Sequence, residues 1–119
     1  MLFIMNFCYP KKYRLLYNSE FKNILFKNNR IVTLFLNVYF NCNNLTFPRL
    51  GIIISKKVIR LSNDRNRVKR LLRESFRMNK KNIRFIDFLI FPQRILCNLN
   101  NSEIFKLLDN LWCKYAIDN

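Results

Sequence analysis

Residues 50–77 read LGIIISKKVIRLSNDRNRVKRLLRESFR, and two periodicities meet in them. Leu50, Ile52, Ile53 and Ile54 run almost unbroken around Gly51 and stop at Ser55. A short β-branched run closed by polar residues predicts a buried strand over 50–55. From residue 63 the period becomes helical. At 100° per residue, Val68, Leu71, Leu72 and Phe76 fall on one face, with Arg65, Asn66, Lys69, Arg70, Arg73 and Arg77 on an adjoining one. Arg67 stands apart, close to Glu74, which can pair with Arg70 or Arg77. The helix is predicted over 63–79, with Asn63 and Asp64 as its capping residues. A strand that delivers the chain into such a helix is half of an α/β unit. The apolar helix face docks on a sheet, and the cationic face is left outside.

Working outward, the flanking segments extend the same architecture. Residues 31–41 are rich in β-branched and aromatic side chains and are predicted as one strand. Leu34, Leu36, Val38 and Phe40 would face the core, and Phe35, Asn37 and Tyr39 a mixed surface. With a turn at 41–44, this strand and 50–55 read as an antiparallel hairpin. Asn18 and Ser19 open a short helix over 19–28 carrying Phe21, Ile24 and Leu25. Residues 85–91 form a further strand stopped by Pro92. Ser102 caps a last helix to about residue 117, with Ile104, Phe105, Leu108, Leu111, Trp112 and Tyr115 as its apolar stripe. The order is α-β-β-α-β-α: a two-layer α/β sandwich with helices packed on a mixed sheet. An extra short strand near 3–9 or at Phe47 stays open. No repeat or linker divides the chain, so 1–119 is read as a single domain, with 1–11 as an irregular tail and the basic cluster Lys11, Lys12 and Arg14 closing this N-terminal stretch.

Composition narrows the function. Twenty-two Lys and Arg face seven Asp and Glu, a net charge of +15 on 119 residues. Such a domain calls for a polyanion partner, with nucleic acid first and an anionic membrane second. There is no His, and the seven acids are scattered, so no catalytic residue is assigned. Gly51 is the single glycine, which rules out a Gly-rich phosphate loop. Cys8, Cys42, Cys97 and Cys113 form no C-x-x-C pair, so no metal site is assigned and mostly buried, reduced thiols are expected. No apolar run has the length of a membrane span, and residues 1–9 lack the features of a signal peptide.

The cationic face suits RNA because residues three or four apart line up along a helix and can follow a row of phosphates. Arg adds a planar donor fork for phosphate oxygens, and Asn66 can read a base edge or a sugar hydroxyl. Lys56, Lys57 and Arg60 bring more charge to the helix N-terminus, whose dipole already favours phosphate.

Residues 65–77 resemble the Arg-Asn-Arg motif of the bacterial ribonuclease P protein family, R-N-R-x-K-R-x-x-R-[EQ]-x-F, and match it throughout. Residues 50–57 resemble the family strand before that motif, 18–26 its first helix, 87–91 its late strand and 108–114 its last helix. The resemblance spans about residues 12–116. It implies an α/β sandwich with a left-handed βαβ crossover, against the usual handedness. It also implies a cytoplasmic protein subunit of an endoribonuclease that trims the 5′ leader of precursor tRNA. The RNA subunit would carry the catalysis and hold most of the Mg²⁺, with none bound by the protein alone, one protein per RNA, and no membrane. By position, Lys56, Lys57, Arg65, Asn66, Arg67, Lys69, Arg70 and Arg73 match the RNA-binding segment, with Arg60 and Arg77 beside it. Phe21 and Tyr39 match leader-cleft positions; Leu25 stands where members often carry Phe, with Phe26 one place later. For Phe21, core packing is an equal alternative.

Overall fold

Strand β4 (Ile86–Pro92) is apolar at almost every position, a composition that suits a strand covered on both faces. The computed structural model, which describes residues 18–27, 29–43 and 45–117, places it inside a four-stranded sheet. Besides β4, the sheet contains β1 (Arg30–Val32), β2 (Leu36–Cys42) and β3 (Arg49–Ile52), in the order β1-β2-β4-β3. β4 runs antiparallel to β2, with Val38 opposite Ile90, and parallel to β3, with Leu50 opposite Phe88. The helices are α1 (Asn18–Lys27), α2 (Ser62–Asn79) and α3 (Asn101–Lys114), with 3-10 turns at Lys80–Asn82 and Arg94–Asn98.

The mixed sheet matches expectation, and the element order differs by one added strand before α2, but the expected hairpin of 31–41 with 50–55 does not form. β4 lies between them, and it holds both through one carboxylate. Asp87, nearly buried, accepts from Arg49 Nε at 2.8 Å and Nη2 at 2.7 Å, and from Asn43 Nδ2 at 2.8 Å. The end of β2 and the start of β3 are thus pinned to the same residue of β4. Parallel β3 and β4 then need a long crossover, which α2 supplies.

The single strand predicted over 31–41 is in fact two. Thr33 Oγ1 donates to the Leu36 carbonyl at 2.7 Å and accepts from the Leu36 N–H at 3.1 Å. This side-chain clasp turns the chain without Gly or Pro, so β1 folds back on β2 with Arg30 opposite Tyr39. Leu34, expected in the core, sits on the turn and is 68% exposed. The expected caps also move. α2 starts after Leu61 with no side-chain cap, so Asn63 and Asp64 lie in its first turn. α3 is capped by Asn100, not Ser102: Asn100 accepts from Glu103 N–H at 2.8 Å, and Glu103 Oε1 accepts from Asn100 N–H at 3.0 Å.

α2 and α3 cover one face of the sheet. Val68, Leu72, Phe76, Ile104, Leu108 and Trp112 are buried against Leu36, Val38, Leu50, Ile52, Phe88 and Ile90. Trp112 packs edge-on to Phe76 and Phe88, centroids 5.6 and 5.3 Å away, and its indole N–H donates to the buried Ser75 hydroxyl at 2.9 Å. The alternate residues of the strands face the other way. There α1 seats Ile24 on Leu89, flanked by Tyr39, Ile53 and Phe91. The two layers expected from sequence are therefore the sheet and the α2/α3 pair, and α1 adds partial cover on the second face. The thiols expected to be mostly buried are not: Cys42 and Cys113 are exposed, one at a strand end and one on the outer side of α3. Residues 1–17 and the tail readings made on them lie outside the described residues, as does Cys8.

Asp87→Ala leaves Arg49 without its carboxylate in a largely buried place, and a loss of about 3 kcal/mol or more is expected. Adding Arg49→Met should recover part of that loss in urea denaturation. Equal losses in the single and double variants would place Asp87's contribution with Asn43 instead.

Candidate nucleic-acid interface

The buried face of α2 fixes its rotation. With Val68, Leu71, Leu72, Ser75 and Phe76 inward, the opposite side carries Asn66 and Arg70, both exposed, and Lys69, Arg73 and Arg77, half-buried. The positive charges crowd one another. Burial, then Arg65 and Arg73, lower the pKa of Lys69 below the usual lysine value. Arg73 Nε donates to the Lys69 carbonyl at 3.3 Å. Glu74 pairs with Arg77, the second of its two expected partners, and so neutralises one end of the row.

The loop before α2 is a compact turn built on Ser55. Its carbonyl accepts from Val58 and Ile59 N–H at 3.1 and 3.0 Å, and its hydroxyl from Lys57 N–H at 3.1 Å. Lys56, Lys57 and Arg60 project from this turn into solvent. The sequence missed Arg94: it lines the same cleft of about 400 Å³ as Arg60, Leu61 and Asp64, at the N-terminal end of α2. The residues are separated by thirty-four positions, so no local pattern joins them.

The two arginines of the Arg-Asn-Arg run are engaged inside the protein. Arg65 Nη1 donates to the Ile59 and Arg60 carbonyls at 2.9 and 2.8 Å. Arg67 donates to the Leu99 carbonyl at 2.6 Å, Asn101 Oδ1 at 2.9 Å and the Cys97 carbonyl at 3.3 Å. Together they brace the first turns of α2 against the preceding loop on one side and the start of α3 on the other. Asn66, between them, is exposed. The Cys97 thiol in this brace is pushed up by burial and by Asp64, partly offset by Arg67.

The second candidate surface lies on the α1 face of the sheet. Tyr39 is half-buried, edge-on to Phe91 at 5.4 Å, with its hydroxyl 3.3 Å from Arg30 Nη1. Leu25 is 38% exposed, and Phe26 is 88% exposed. The Phe21 side chain lies outside what is described. Phe91 and Ile53 join Tyr39 there; strand alternation places Phe91 beside Leu89 on this face, a signal that was present in the sequence. Among the described residues no three of His, Cys, Asp and Glu gather to hold a metal ion, and no helix is long and apolar enough to cross a membrane.

Residues 9–116 match the family model described as Ribonuclease P. The chain is 37% identical to the ribonuclease P protein component of Histophilus somni (strain 2336), over 90% of each protein. It is 47% identical to that of Baumannia cicadellinicola over 73 residues, 61% of this chain and 64% of that protein. Its structure is similar to the RNase P protein of Staphylococcus aureus, with a TM-score of 0.76, 30% identity, and coverage of 86% of this chain and 93% of that one.

Arg67→Ala removes three internal acceptors' partner and should lower stability by about 2 kcal/mol in chemical denaturation. Arg67→Lys, which keeps the charge but not the fork, should not restore it. Lys69 has the opposite sign. The folded state binds its proton less tightly than the unfolded chain, so stability rises with pH just below the ordinary lysine range. Lys69→Met should flatten that rise and slightly increase Tm, while weakening any bound polyanion.

Proposed function

The chain belongs to the ribonuclease P protein family, the protein component of a tRNA-processing endoribonuclease, and from that premise we propose that it binds the catalytic RNA through α2 and the precursor-tRNA leader through the α1 face. The observation that carries the proposal is the cationic side of α2 on a domain of net charge +15, with Glu74 and Asp64 as the acids along it. Asn66, Lys69, Arg70, Arg73 and Arg77 contact RNA phosphates and sugars, with Lys56, Lys57 and Arg60 extending the contact at the helix start. Arg65 and Arg67 act mainly by holding that helix in place, while their charge adds to the field. One protein serves one RNA, in the cytoplasm.

Tyr39, together with the leader-cleft positions Leu25 and Phe21, supplies an apolar and aromatic bed for single-stranded leader nucleotides, a mode of contact that is tolerant of sequence. A precursor with a leader is then held more tightly than the mature product, which lets the product leave. The protein contributes no acid, base or nucleophile. Mg²⁺ held mainly by the RNA supplies the charge stabilisation for phosphodiester hydrolysis. The side chains named above lower the repulsion between two RNAs and orient the substrate.

The test is precursor-tRNA cleavage at low Mg²⁺ with ribonuclease P RNA, with and without the protein. A large rise in cleavage only when both are present is expected. No rise with a folded protein, together with equal affinity for unrelated structured RNAs, would favour a general RNA-binding module. Cleavage by the protein alone would make it a nuclease in its own right. Arg70→Ala should reduce the slope of log affinity against log salt by roughly one unit. Tyr39→Ala should narrow the affinity gap between precursor and mature tRNA without changing that slope.

A further inference from the structure

The cationic row continues beyond the Arg-Asn-Arg pattern. Asn66, Arg70, Arg73 and Arg77 recur three or four apart, and the next positions at that spacing are Lys80 and Lys81, in the 3-10 turn that ends α2. Arg84 follows, and then Phe85. From Asn66 to Lys81 the row is about 22 Å long at the helical rise.

Phe85 is unusual in its surroundings. Its neighbours Ile83 and Ile86 are buried in the core, but Phe85 itself is 45% exposed, so the core does not account for it. It lines an open cleft of about 150 Å³ with Lys80, Lys81, Ile83, Phe47 and Pro48. A space of roughly that size accepts one aromatic ring, and its lining includes two lysines and no carboxylate. The segment is held from both sides. Arg84 N–H donates to the Tyr115 carbonyl at 2.8 Å, Ile117 N–H to the Asn82 carbonyl at 2.7 Å, and Asn43 N–H to the Phe85 carbonyl at 3.1 Å. A ligand there would meet a surface already in place, with little ordering cost.

We propose that this cleft binds one unpaired nucleotide of the ribonuclease P RNA, its base stacked on Phe85 and its phosphate on Lys81. The proposal rests on the function given above. The RNA subunit is the source because the cleft continues the α2 row, whereas the surface assigned to the leader lies across the sheet beside α1. Stacking gives the contact, and the lysine supplies charge at a fixed place.

The experiment measures affinity of the full chain for ribonuclease P RNA over a range of salt, with no tRNA present. Phe85→Ala should weaken binding by about tenfold with an unchanged salt slope. Lys81→Ala should lower the slope by roughly one unit. Phe85→Trp should keep the affinity, and its indole fluorescence should be quenched as RNA is added. Thermal melting of each variant shows whether the fold is intact, and Arg70→Ala is the reference. Wild-type affinity in Phe85→Ala and Lys81→Ala, with Arg70→Ala weakened, overturns the cleft and leaves the proposed function standing. Unchanged affinity for the RNA subunit, with a loss seen only when precursor tRNA is compared with mature tRNA, assigns the cleft to the leader and overturns the proposal. No binding by the wild-type chain overturns both readings.

Discussion

The seating of one helix face governs what this surface can do. Val68, Leu71, Leu72, Ser75 and Phe76 press α2 onto the sheet and α3, and a helix held along one side has no freedom to rotate. Its remaining side chains therefore point away from the core at fixed angles. Burial of apolar area is non-directional in itself, but the interlocked contacts of Phe76, Phe88 and Trp112 and the indole bond to Ser75 make this seating specific. The hydrophobic core thus sets the orientation of the charges.

Arg65 and Arg67 complete that seating at the helix start. Each points a guanidinium at carbonyls of a neighbouring loop, which satisfies backbone acceptors and ties three separated stretches of chain together. Their charge stays where an RNA can feel it. The same residue type thus serves two purposes in one motif, internal fastening and external field, while burial, then the charges of Arg65 and Arg73, make Lys69 hold its proton less firmly than a free lysine. A polyanion relieves the crowding, so the free protein stores part of the driving force for association as unrelieved repulsion.

The opposite face of the sheet has a different character. α1 covers it only in part, through Ile24 on Leu89, and leaves Tyr39, Phe91 and Ile53 half-buried beside the helix. Two surfaces of different chemistry, one of charge on α2 and one of rings and branched aliphatics beside α1, are separated by the thickness of the sheet. β4 serves both, because its alternate residues face opposite ways: Phe88 and Ile90 toward α2 and α3, Leu89 and Phe91 toward α1.

The sequence alone determined the local elements and the composition of the cationic helix. The 3.6-residue period of residues 65–77 is a property of covalent spacing, so the buried and charged sides of α2 were legible before any contact was known, as was the apolar run that became β3. It could not determine which strand pairs with which. The exchange of partners that puts β4 between β2 and β3 depends on Asp87 meeting Arg49 and Asn43, which come from distant parts of the chain. The turn at Thr33 escaped for a related reason: its clasp is a side-chain hydrogen bond in a stretch whose apolar pattern reads as continuous strand. The division of labour within the Arg-Asn-Arg run was hidden as well. Whether Arg67 faces solvent or a carbonyl is decided by acceptors thirty or more residues away, and only folding brings donor and acceptor within hydrogen-bond distance.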